Sequence, residues 1–85
     1  MKKHFLVLRD HHAKIIAKDE FLYIIKNSQK NIVAYKHLKA IFINIALKTN
    51  IQTCYKIAKY IPLFIIDSNG YIIAKFDTKV ENEKI

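Results

Sequence analysis

Hydrophobic and polar positions alternate in short blocks along this chain, and each block predicts one element. Residues 4–9 (HFLVLR) are apolar and β-branched enough for a first strand, which the polar Asp10-His11-His12 breaks. Residues 13–18 (AKIIAK) and 21–26 (FLYIIK) predict two further strands. They flank the two-residue break Asp19-Glu20, which suits a hairpin although it lacks the usual glycine. A polar cluster, Asn27-Ser28-Gln29-Lys30, precedes a fourth strand at residues 31–35. This half of the chain therefore reads as a meander of short antiparallel strands.

The second half carries longer apolar runs. Residues 40–45 (AIFINI) lack polar alternation, as expected of a strand covered on both faces. Thr49-Asn50-Ile51-Gln52 matches a capping box, in which the Thr49 hydroxyl accepts from the Gln52 amide and the Gln52 side chain reaches back to Thr49. A helix over residues 50–60 follows. Ile51, Cys54, Tyr55, Ala58 and Ile61 recur at spacings of three and four on one face, with Gln52, Lys56 and Lys59 on the other, and Pro62 ends it. Residues 63–67 (LFIID) form another covered strand, Ser68-Asn69-Gly70 a tight turn, and residues 71–76 (YIIAKF) the returning arm of a hairpin. A helix between two covered strands predicts a right-handed crossover that leaves strands 40–45 and 63–67 parallel. The expected class is α+β: mostly antiparallel β in two small sheets or sandwich layers, with one helix and a C-terminal β-hairpin. Residues 1–76 make a single β-rich domain, and 77–85 a polar tail or the start of a linker.

Composition narrows the class. Eighty-five residues leave room for one core, and a chain of this size buries only roughly 60–65% of its unfolded surface, so burial against a partner would matter. A hydrophobic content of 52% with one Gly and one Pro excludes a disordered or linker-like protein. No apolar run approaches the length of a membrane span, and Arg9, Asp10 and two histidines interrupt the first strand before it could serve as a signal-peptide core. The chain is expected to be cytoplasmic. Its single cysteine, Cys54, falls within the helical apolar pattern and reads as a small buried hydrophobe in a reducing compartment.

The net charge of +8 raises nucleic acid as a partner, since Lys and Arg neutralise phosphate irrespective of sequence. Of the fifteen basic residues only Arg9 is arginine, and the lysines are spread along the chain, as an AT-rich coding sequence would also give. Arg9, Lys14, Lys18 and Lys26, at the first hairpin, are the cations expected to contact phosphate. Tyr23, Tyr35 and Tyr71 lie on predicted strands beside Lys18, Lys26, Lys36 and Lys75, a mixture that can bind nucleic acid on a sheet face but that ordinary strand-forming tyrosines also produce.

Catalytic chemistry is not encoded in an evident way. His11 and His12 are adjacent, so on a strand they point to opposite faces, and His4 and His37 complete no metal-ligand spacing. Asp10 beside them lacks the second carboxylate or orienting partner that acid–base or nuclease work needs. Asp67 stands before a turn, where aspartate commonly bonds its own backbone. No catalytic, metal or cofactor residue is assigned. A binding or assembly module is therefore expected over an enzyme.

Residues 39–76 resemble a known family in the order of their features. An apolar strand (Lys39-Ala40-Ile41-Phe42-Ile43), a Thr49 cap, a helix reaching Tyr60-Ile61-Pro62, then Leu63-Phe64-Ile65-Ile66-Asp67 and a turn ending at Gly70 resemble the amino-terminal β-domain of the CRISPR-associated integrase, the endonuclease of spacer acquisition. Tyr60 stands where that family usually has glycine. With the upstream strands, the resemblance covers residues 4–76. It implies a module that builds a homodimer through its β-structure and borders duplex DNA, with the small ferredoxin-like CRISPR adaptation protein as a further partner. The family's divalent-metal site belongs to a helical domain that this chain would lack, so the resemblance implies no catalytic residue here. The competing expectation is a stand-alone basic protein that binds nucleic acid or regulates a longer one.

Overall fold

The structure, a computed structural model, describes residues 2–47 and 49–77; of the expected polar tail, residues 78–85 lie outside these. In chain order the elements are β1 (His4–Leu8), β2 (Lys14–Lys18), β3 (Phe21–Lys26), β4 (Gln29–Ala34), a 3₁₀ turn (Tyr35–His37), β5 (Leu38–Asn44), α1 (Ile51–Ala58), β6 (Leu63–Ile66) and β7 (Ile72–Phe76). They form a three-stranded antiparallel sheet, β2-β3-β4, and a four-stranded mixed sheet in the order β1-β5-β6-β7. The α+β class and the two small sheets are as the hydrophobic pattern predicts.

The first sheet is assembled by two tight turns. Lys18 pairs with Phe21 around Asp19, which takes a φ of 54°. Lys26 pairs with Gln29 around Asn27 and Ser28, whose φ values of 50° and 67° are both positive, as the twist-matched two-residue hairpin requires. Because this turn consumes only two residues, β4 starts at Gln29 rather than at Asn31.

β1 does not belong to the meander. It pairs in parallel with β5, His4 opposite Leu38 and Leu8 opposite Ile43, and so forms an edge of the second sheet. The reason lies in the apolar demand of β5: with Ile41 and Ile43 wholly buried and β6 on one side, its other side needs an apolar strand, and FLVL supplies one. The β5 to β6 connection through α1 gives the expected parallel pair, and β6 to β7 the expected antiparallel hairpin. Asp67 Oδ1 accepts from the amides of Asn69 and Tyr71 at 2.9 Å each, and Gly70 supplies a φ of 89° that a side chain would strain.

The helix starts one residue later than the capping box predicts. Asn50, not Thr49, is the N-cap: its Oδ1 accepts from the Thr53 amide at 2.7 Å. Thr49 Oγ1 is buried with no hydrogen-bond partner among the described residues. Both residue types cap well, so the register is decided by packing. Cys54, Ile57, Ala58 and Ile61 face the core, while Ile51 and Tyr55, expected on that face, are exposed. Burial raises the Cys54 thiol pKa and so disfavours its reactive thiolate.

Leu22 of the first sheet, Ile41, Ile43 and Leu63 of the second, and Ile57 of the helix are fully buried. The helix bridges the sheets, touching β2 on one and β6 and β7 on the other. No helix among the described residues is long and apolar enough to cross a membrane.

Candidate interaction surfaces

Side-chain alternation on β2 turns Ile15 and Ala17 to the core and leaves Lys14, Ile16 and Lys18 exposed. Lys14 and Lys18 stand at opposite ends of that face, ~13 Å apart by strand rise. Arg9 is exposed in the link between β1 and β2. Lys26, at the end of β3, is ion-paired with Asp10. The four predicted cations are thus not one cluster: Lys26 meets Asp10 at one end, where Lys14 stands opposite Ile25, and Lys18 stands with Lys56 and Lys59 at the other, lining one cavity.

His11 and His12 occupy a turn in the polar break after β1, with ring centroids 4.0 Å apart. The turn is fixed by Asp10, whose backbone carbonyl accepts from the Ala13 amide and whose Oδ1 accepts from the His12 amide at 2.9 Å. Lys26 hydrogen-bonding first, and the His12 amide second, hold the Asp10 carboxyl below its ordinary range. That carboxylate is occupied, not poised as a base. Among the described residues no group of three or more His, Cys, Asp or Glu could hold a metal ion.

The three tyrosines do not share a face. Tyr23 lies on the outer face of β3 under Lys30 Nζ at 5.6 Å, Tyr71 is largely exposed before β7, and Tyr35 sits in the 3₁₀ turn with 2% exposure. Sequence reasoning missed a different aromatic row. Pairing of β1, β5 and β6 aligns Val7, Phe42 and Phe64 across the outer face of the second sheet. Phe5 packs edge-on against Phe42 at 5.8 Å, and Phe42 stacks on Phe64 at 4.9 Å. Lys39 and Lys75 lie over the two ends of this row, above Phe5 and Phe64. Phe5 is 59% and Val7 44% exposed, so the row is an apolar patch with a basic rim. The signal existed in the sequence, phenylalanine at alternate strand positions, but aligning it requires the parallel β1–β5 register.

Tyr35 and Tyr60 stack with centroids 5.2 Å apart, although they stand on different elements. Burial, with a smaller contribution from the neighbouring Tyr60, pushes the Tyr35 pKa up to about 12. The Tyr35 hydroxyl has no hydrogen-bond partner among the described residues. The pair lines a cavity of about 220 Å³ with Lys3, Glu20, Phe21 and Lys36.

An apolar sheet face, scattered surface cations and, among the described residues, unclustered acids mark the surface of a small β-rich domain. Its structural neighbours are Cas1 proteins. The chain superposes on part of a Cas6-RT-Cas1–Cas2 complex with a TM-score of 0.68 at 17% identity, over 88% of this chain and 23% of that one. It superposes on a CAS1 protein from Thermotoga maritima with a TM-score of 0.69 at 14% identity, over 91% of this chain and 24% of that one. The chain therefore spans about a quarter of the length of each of these two structures. No protein-family model and no curated protein sequence matches it.

Proposed function

We propose that this chain serves CRISPR adaptation as a non-catalytic module equivalent to the amino-terminal domain of Cas1, one that pairs with a second copy and borders duplex DNA during spacer acquisition. The observation that carries this reading is the shared fold: about nine tenths of the chain superposes on Cas1 structures at TM-scores of 0.68 and 0.69. Two surface features support it. The Phe5–Phe42–Phe64 face offers an apolar area that a second copy would cover, and Arg9, Lys14 and Lys18 offer exposed cations for phosphate. The first neighbour is a complex that also contains Cas2, so a Cas partner, such as the small ferredoxin-like adaptation protein, is the natural context for the pair.

Analytical ultracentrifugation over a range of concentrations, with and without a short blunt duplex at low and moderate salt, tests the reading. A dimer burying at least ~1,000 Å² in total is expected. Duplex binding should be weak, indifferent to sequence and lost as salt rises. A chain that stays monomeric at hundreds of micromolar, or that binds one sequence tightly, would contradict the proposal and favour a stand-alone nucleic-acid binder.

A further inference from the structure

The cavity beside Tyr35 has a composition that neither pairing with a second copy nor duplex bordering requires. Its walls combine two aromatic side chains that are partly exposed, Phe21 at 42% and Tyr60 at 46%, with a buried phenol whose hydroxyl is unpartnered among the described residues. Lys3 and Lys36 supply positive charge and Glu20 one carboxylate. A buried hydroxyl without a partner is disfavoured, and a native structure that keeps one calls for an explanation. Here the hydroxyl belongs to a residue that lines a cavity. At about 220 Å³ the space falls below the roughly 300–1,000 Å³ of pockets for drug-sized ligands, which suits a single ring system.

Tyr60 also lines a second cavity, of about 300 Å³, whose other walls include Lys18, Lys56 and Lys59. One half-exposed tyrosine therefore separates an aromatic cavity with two lysines and Glu20 from a cavity with three lysines and Asp19. A bare phosphate would gain nothing from Phe21 and Tyr60. An acidic peptide would meet a carboxylate in each cavity, Glu20 in one and Asp19 in the other. A group with a flat apolar face, N–H donors on its edge and a negative charge beyond it satisfies both cavities together.

We propose that the paired cavities around Tyr60 hold one nucleotide unit. The base packs against Tyr60 and Phe21, its edge donates to Glu20, and its phosphate lies on Lys18, Lys56 and Lys59. Base–aromatic stacking tolerates any base, so recognition is of the nucleotide class, with Glu20 favouring bases that carry N–H donors. The unit comes either from a free nucleotide or from an unpaired position in a strand. This inference goes beyond the assembly role and uses a different surface from the phenylalanine row.

The test is a ¹H–¹⁵N titration of the full chain with each nucleoside 5′-monophosphate, with inorganic phosphate, and with a short mixed-sequence single strand. Monophosphates should shift the amides of Glu20, Phe21, Tyr35, Lys36 and Tyr60, whereas phosphate alone should leave the aromatic cavity unmoved. Tyr60→Ala should weaken binding about tenfold, by loss of one stacking contact. Because Tyr60 is 46% exposed but stacks on the buried Tyr35, the variant's melting temperature is compared with that of the parent chain before its binding is read. The double change Lys56→Gln and Lys59→Gln gives an independent check on exposed residues. Displacement of the monophosphate by the single strand assigns the site to a strand position, and failure to displace it assigns the site to free nucleotide. Identical shifts from phosphate alone, no shifts from nucleotides, or unchanged binding in Tyr60→Ala would overturn the inference. A blunt duplex run in parallel reports the DNA-bordering surface separately, through shifts at Lys14 and Arg9 that Tyr60→Ala does not alter.

Discussion

Lys26 donates to the carboxylate of Asp10, and this contact fastens the end of β3 to the link that carries the chain from β1 in one sheet to β2 in the other. The same carboxylate accepts from the His12 amide, so one aspartate both shapes a turn and withdraws a lysine from the surface charge.

Asp10→Asn should therefore release Lys26. Exposed ion pairs contribute little to stability, so the melting temperature should change only slightly. The salt dependence of duplex binding should steepen by roughly one in the log–log slope, the contribution of one added phosphate contact. Fluorescence anisotropy at several salt concentrations measures this. An unchanged slope would mean that Lys26 does not border the DNA.

The cap at Asn50 makes a prediction that contrasts two neighbours. Asn50→Ala should destabilise the chain by about 1 kcal/mol in urea unfolding, because the Thr53 amide loses its acceptor. Thr49→Val should be neutral or slightly stabilising, since the Thr49 hydroxyl is buried without a partner. The reverse ranking would restore the capping box that the sequence suggests.

Tyr35 predicts a loss of stability at high pH. The unfolded chain releases the phenolic proton near pH ~10, whereas the folded chain holds it to about 12. The folded state thus binds more protons between these values, and stability must fall as pH rises through that window. Tyr35→Phe should flatten this part of the stability curve and remove the latest component of the tyrosinate absorbance titration.

The phenylalanine face predicts separable effects on folding and assembly. Phe5→Glu with Val7→Glu should yield a folded chain that sediments as a monomer, because both side chains are already largely exposed. Ile41→Ala, by contrast, should destabilise by about 2–5 kcal/mol through a cavity at a site with no exposure. A double-Glu variant that still dimerises would move the interface to another face.

Elements were more legible in the sequence than their partners. The strand Phe21–Lys26 coincides with its hydrophobic block, because period-two burial and a two-residue turn are both local properties. The helix phase was harder to read: Ile51 and Tyr55 extend the same spacing as Cys54 and Ala58, and only the cap at Asn50 and burial of Ile57 decide which stripe faces inward. β1 was placed with the wrong neighbours because parallel pairing is set by the needs of β5, far along the chain. The surfaces suffered most. Lys18 and Lys59, or Phe5 and Phe64, come together only through tertiary structure, and no spacing rule announces such a meeting.

The pairing of β1 with β5 also orders events in time. During synthesis β1 emerges first, yet its hydrogen-bonding partner is made only after the whole β2-β3-β4 hairpin series. That series closes through short turns and can form early, while β1 must wait and then be captured by a long-range contact, the kind that slows folding. In the interval FLVL is an unpaired apolar segment, open to another nascent chain. The strand that carries Phe5 to the finished surface is therefore also the one most exposed to mispairing before the fold is complete.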